Sequence, residues 1–217
     1  MRFQDRADAG RRLGQRLRDL GLRSPVVLGL PRGGVPVAAL VASALGAPFD
    51  VFVARKIGAP GRPELGIGAI AEGGAEPVVS VAAGAAGIGP ERLRGLAAAE
   101  QRELARRVAV YRGGRSLPAL AGQDVVVVDD GLATGVTAEA AVRALRRERP
   151  ARLVLAVPVC AADTRGRLAE LADEVVCLHA PVDFTAVGEW YDDFSQITDE
   201  QVLALLRPPS PARGAVT

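Results

Sequence analysis

Residues 125–137 read Val-Val-Val-Val-Asp-Asp-Gly-Leu-Ala-Thr-Gly-Val-Thr, and this stretch constrains the fold more tightly than any other. A short β-branched run ended by polar and small residues reads as a strand buried on both faces. A helical pattern starts directly after the turn. The turn, Ala133 to Thr137, therefore brings backbone N–H groups and the hydroxyls of Thr134 and Thr137 to a helix N-terminus, where an anion such as phosphate is well placed. Asp129 and Asp130 sit on the strand's C-terminal rim. They repel a phosphate, but they can accept hydrogen bonds from sugar hydroxyls or help hold a hard cation such as Mg²⁺. A phosphate cradle beside a diol-binding acid pair describes a ribose 5-phosphate site. An ordinary strand-turn-helix corner is the plainer alternative, but adjacent buried acids are costly without a ligand.

The remaining chain repeats the strand-then-helix alternation. Val26 to Leu30 forms a buried strand, followed by Pro31-Arg32-Gly33-Gly34 and an alanine-rich helix to about Leu45. Two glycines let backbone approach a ligand closely, and Arg32 adds positive charge, so this corner is a second candidate anion loop. It matches neither a Walker loop nor the dinucleotide fingerprint. Residues 49–54 form the next strand, ended by Arg55 and Lys56. Residues 57–66, dense in Gly and Pro, read as a long loop. Ile67 to Ala71 and Pro77 to Val81 read as a hairpin around Glu72-Gly73-Gly74. Leu13, Leu17 and Leu20 mark an amphipathic helix within residues 3–21, expected to carry no chemistry. Leu93, Leu96, Leu104 and Val108 mark a long charged helix over 90–112, whose stripe covers a sheet or a partner subunit. Arg152 to Val159 and Glu174 to Leu178 are further core strands. Residues 208–217 read as a disordered tail.

With 217 residues, 49% hydrophobic and 24% charged, the chain suits one α/β domain over 1–207. A net charge of +2 offers nothing toward nucleic acid or an acidic membrane, and no apolar run reaches spanning length. Cys160 and Cys177 read as buried free thiols, which fits the cytoplasm. Lys56 is the only lysine among 27 basic residues, which points to chemistry that arginine cannot do. Of five Phe, two Tyr and one Trp, four lie between residues 184 and 194, interleaved with acids. Trp190 and Tyr191 could face a flat heterocyclic base, or they could staple the C-terminal segment to the core. His179, the lone histidine, reads as structural.

The sequence 125–137 is similar, without a gap, to the signature of the type I phosphoribosyltransferases, and the resemblance extends over about residues 25–180. It implies a three-layer α/β/α fold, with a mostly parallel sheet in the order 3-2-1-4-5-6, one antiparallel strand and a small hood over 180–207. It implies that Asp129 and Asp130 contact the ribose hydroxyls of phosphoribosyl pyrophosphate (PRPP), directly or through Mg²⁺, and that Ala133, Thr134, Gly135, Val136 and Thr137 hold its 5-phosphate. Arg32, Gly33 and Gly34 match the pyrophosphate loop, which often holds a cis peptide. Arg55 and Lys56 match basic residues before a mobile catalytic lid over 55–81, and with Asp129 they are the expected catalytic groups. The implied activity is a Mg²⁺-dependent transfer of the phosphoribosyl group to a nitrogenous base, by a cytoplasmic homo-oligomer, a dimer. Ala133 stands where enzymes of 6-oxopurines usually carry an acid, so the pattern is nearer the adenine type. Arg55-Lys56-Ile57-Gly58 together with residues 188–194 resembles a bacterial group whose acceptor is unassigned. A PRPP-binding sensor without catalysis is the alternative. A phosphatase or kinase on the same scaffold is weaker, because no nucleophile motif or Walker loop occurs.

Overall fold

Five apolar runs pair into a single parallel sheet. The computed structural model describes residues 2–74 and 76–207; the tail expected at 208–217 lies outside them. The strands are β1 (Val26–Gly29), β2 (Phe49–Val51), β6 (Asp124–Val128), β7 (Arg152–Val159) and β8 (Glu174–His179), in the order β2-β1-β6-β7-β8. Strands β1 and β6 are neighbours, with Gly29 opposite Val128. Alternation along β6 explains its unbroken valine run. Val126 and Val128 pack on Leu13, Leu17, Val37 and Val41, from α1 (Arg6–Arg18) and α2 (Gly34–Leu45). Val125 and Val127 face the opposite layer, with Ala141, Val142 and Leu145 of α5 (Val136–Arg146). The three-layer α/β/α architecture is the one expected.

The expected 3-2-1-4-5-6 order with an antiparallel member does not appear: among the described residues the sheet has five strands, all parallel. After β8 the chain becomes a strap instead. A 3₁₀ turn at Val187–Trp190 leads to backbone pairing with the N-terminus, through Phe3 N–H to Trp190 O (2.8 Å) and Asp192 N–H to Phe3 O (2.9 Å). The strap ends in α7 (Asp199–Leu206), capped reciprocally by Thr198 and Gln201.

Residues 57–66 are not a loop. They complete β3 (Ala54–Ala59) and β4 (Arg62–Ala71), which with β5 (Val78–Val79) form a second, antiparallel sheet. Gly61, at φ +74°, makes the tight turn, and the register shifts around Gly58. The Gly and Pro that suggested a loop are turn and bulge residues. Ile57 and Ile67 bury against Leu93 and Ala97 of α4 (Pro90–Arg112), so the stripe of α4 covers this small sheet. The short helices α3 (Val81–Ala85) and α6 (Ala162–Leu168) complete the fold. Two buried groups lock the small sheet to the core: Arg112 pairs with Glu72 and donates to Val51 O at 2.9 Å. Cys160 is buried and Cys177 half-buried; both are free thiols, and Cys160 Sγ donates to Cys177 Sγ at 2.8 Å.

Candidate active site

Because β1 and β6 are adjacent, the loops at their carboxyl ends meet where the strand order reverses, the usual ligand crevice of such sheets. The contact is close. A Cβ on Gly33 would overlap the Asp130 carboxylate, 2.6 Å from its Cγ, and one on Gly34 would lie 2.6 Å from Val128 O and 2.8 Å from Asp129 Cα. The two glycines let the loops touch. The Pro31–Arg32 peptide between β1 and α2 is cis, as the family resemblance implied. Arg32 is partly exposed, 3.8 Å from Asp199. Together with Arg6, Gly33, Asp130, Phe194, Gln196 and Ile197 it lines a cavity of about 320 Å³.

The acid pair is embedded. Asp129 Oδ1 accepts from Asp130 N–H at 2.9 Å. Burial, and then the neighbouring Asp130, hold the Asp129 carboxyl well above the usual carboxylate range. Burial also raises Asp130, against the opposing pull of Arg6. Arg6 Nε donates to Asp130 Oδ2 at 2.8 Å, with both side chains nearly enclosed (10% and 13% exposed). Its NH1 donates to Ser195 O at 2.8 Å, and its guanidinium stacks 3.9 Å from the Phe194 ring centroid. So α1, expected to be inert, delivers a charged group to the site. The signal was present: Arg6 lies on the same helical face as Ala9, Gly10, Leu13 and Leu17, all buried.

Stability at this pair depends on pH. The folded pKa of Asp129 exceeds its unfolded value, about 3.9, so between the two the folded state binds more protons. Stability contributed here falls as pH rises through that window and is recovered below it. We expect Asp129→Asn to raise the melting temperature of the ligand-free protein at pH 8 by a few degrees, with the gain shrinking toward pH 4. Differential scanning fluorimetry across pH reads this directly, and a lower melting temperature at pH 8 contradicts it.

The turn after β6 is exposed at Ala133 and Thr134, and Gly135 takes φ +67° as the N-cap of α5. Among the described residues, no protein acceptor takes the N–H of Thr134, Gly135, Val136 or Thr137. These donors lie at the start of an 11-residue helix, where an anion is favoured.

Arg55 and Lys56 point to opposite faces of β3, as strand alternation requires. Arg55 is committed to Glu100 of α4 at 2.6 Å, so it is not brought to the acid pair. The Lys56 stem lies over Gly66, where Val136 of α5 also approaches. Tyr191 is 2% exposed, packed on Phe3 and Phe194, with its hydroxyl donating to Asp130 O at 2.5 Å. It therefore offers no open face to a base and instead fixes the acid loop. Trp190 is half-buried, edge-on to His179 with centroids 4.7 Å apart.

An embedded acid pair and a glycine loop carrying Arg32 thus meet at the switch point of a parallel sheet, the place where open α/β sheets bind ligands. Comparison with known proteins narrows this. A model of the phosphoribosyl transferase domain matches residues 4–193, and the chain belongs to that family. The match takes in Arg6 and Tyr191, beyond the span of the sequence resemblance. The chain is 46% identical over 204 residues to a protein of Mycobacterium tuberculosis (strain H37Rv) provisionally named a phosphoribosyl transferase, covering 94% of this chain and 46% of that one. It thus spans about half the length of the curated relatives it matches. The structure of TT1426 from Thermus thermophilus is 48% identical, with a TM-score of 0.80 over 95% of this chain and 98% of that one. AQ2163 from Aquifex aeolicus, 15% identical, shares the fold with a TM-score of 0.52 over 81% of this chain and 74% of that one.

Proposed function

We propose that the chain transfers the 5-phosphoribosyl group of PRPP to a base-like acceptor, releasing pyrophosphate. The observation that carries this is the direct contact between the Arg32–Gly34 loop and the acid pair, with free N–H donors one turn further on. PRPP carries phosphate groups at two ends of one ribose, and two anion loops flanking a diol-binding site complement it. The N–H groups of 134–137 receive the 5-phosphate, Asp129 and Asp130 accept the ribose hydroxyls, and the loop at Arg32 receives the pyrophosphate. As the bond to pyrophosphate breaks, positive charge develops on the sugar, and the nearby carboxylates favour it. Lys56, whose stem lies over Gly66 beside Val136 of α5, is the basic side chain assigned to the departing phosphates. Arg55 serves by fixing α4 through Glu100.

Among the described residues no group of three or more His, Cys, Asp or Glu side chains could hold a metal. Asp129 Oδ1 and Asp130 Oδ2 already have protein partners. Asp129 and Asp130 would hold Mg²⁺ here, as hard oxygen donors suited to that cation. Bound there, Mg²⁺ would neutralise the departing pyrophosphate. Among the described residues no helix is long and apolar enough to cross a membrane. A cytoplasmic setting agrees with the free thiols. A homodimer belongs to the same reading, and sedimentation velocity tests it.

PRPP with Mg²⁺ at about 100 times its Kd should stabilise the fold by about 2.7 kcal/mol, raising the melting temperature by roughly 5–10 °C. Asp129→Asn with Asp130→Asn should remove the shift. An unchanged wild-type melting curve at saturating PRPP sinks the assignment. Pyrophosphate release across purine and pyrimidine bases then identifies the acceptor; binding without release for every base marks a sensor instead.

A further inference from the structure

The phosphate turn is held from behind by a helix that takes no part in the acid pair. Thr164 Oγ1 donates to Ala133 O at 2.6 Å, and Arg167 donates to Thr134 O. Both side chains come from α6. Thr164 is 4% exposed, and its Cγ2 lies 2.5 Å from where a Cβ on Gly135 would sit. Arg167 is further steadied by Glu139 of α5, 3.6 Å from its Nε.

In a planar trans peptide the C=O and the next N–H point in opposite directions. Fixing the Ala133 and Thr134 carbonyls toward α6 therefore aims the N–H groups of Thr134 and Gly135 the other way. Gly135 in the left-handed region then turns the chain into α5, so the N–H groups of Val136 and Thr137 follow. Consecutive N–H groups gathered around such a turn form an anion-binding concavity. Without the two donors, nothing among the described contacts of those carbonyls keeps the peptides in this orientation.

We propose that Thr164 and Arg167 are positioning residues for the 5-phosphate: they preorganise the backbone cradle without touching the ligand. This rests on the PRPP reading above. Preorganised donors bind tightly because no reorientation is required on binding. Thr164 should matter more than Arg167, since its hydroxyl is buried and no water can replace it.

The test separates the two ends of the site. Isothermal titration with ribose 5-phosphate reports the cradle, and titration with pyrophosphate plus Mg²⁺ reports the Arg32 loop. Thr164→Val keeps the side-chain shape and removes the donor. It should weaken ribose 5-phosphate by about tenfold or more, as loss of a buried hydrogen bond predicts, and leave pyrophosphate within about twofold. Arg167→Met should do the same more weakly, and Thr164→Ser should restore wild-type affinity. Equal weakening of both ligands, or no weakening of ribose 5-phosphate, overturns the proposal. So does failure of Thr164→Ser to rescue while its melting temperature matches wild type. If the wild type binds neither ligand, the PRPP reading itself has failed, and the variants are not needed to show it.

Discussion

Arg6→Met should lower the melting temperature by about 10 °C. Removing one partner of a buried ion pair leaves the other charge uncompensated, which costs about 3–5 kcal/mol, and a domain of this size loses roughly 2–4 °C per kcal/mol. Here both side chains are nearly enclosed and the bond is 2.8 Å. Met retains much of the aliphatic bulk of Arg but abandons Asp130, Ser195 O and the face of Phe194 together. The remedy identifies the cause: Arg6→Met with Asp130→Asn removes the orphaned charge and should recover at least half the loss. A drop below about 2 °C for the single variant, or no recovery in the double, shows that the pair is not what holds the strap to the acid loop.

Gly34→Ala should come next in size. Its Cβ would lie 2.6 Å from Val128 O, 2.8 Å from Asp129 Cα and 3.0 Å from Asp129 Oδ1. The first two are backbone atoms at the end of the central strand pair and cannot rotate away. Overpacking of this kind costs about 1–3 kcal/mol, and the separation it forces falls between the two loops that the ligand must bridge. We expect a melting temperature several degrees lower and no stabilisation by PRPP. Gly95→Ala is the control. Gly95 lies exposed in α4, with nothing within 4 Å of its Cβ position, so alanine there should be neutral or stabilising by about 0.5–1 kcal/mol. If the Gly34 and Gly95 variants melt alike, close loop contact is not a constraint on this fold.

Both predictions arise from contacts between segments far apart in the chain, which explains where reading the sequence succeeded and where it did not. The four-valine strand, the turn and the helix after it were legible because periodicity and small-residue spacing are local properties. The buried stripe of Leu13 and Leu17 was legible for the same reason. Residues 57–66 read as a loop because Gly and Pro serve turns and bulges as readily as loops, and only burial of Ile57 and Ile67 against α4 tells them apart. Tyr191 could have faced a base or the core; packing on Phe3, close to the start of the chain, decides for the core.

The sequence alone determined that Asp129 and Asp130 end a buried strand beside a turn of backbone donors, since a few adjacent residues dictate that geometry. Only the tertiary structure decided what surrounds them: Gly33 against Asp130, Arg6 paired with it, Tyr191 beneath the loop, and Thr164 and Arg167 behind the cradle. The physical reason is that the charge state of a buried carboxylate and the orientation of a turn's peptides depend on neighbours brought close by sheet order and helix packing. No local pattern in the chain encodes which neighbours those are.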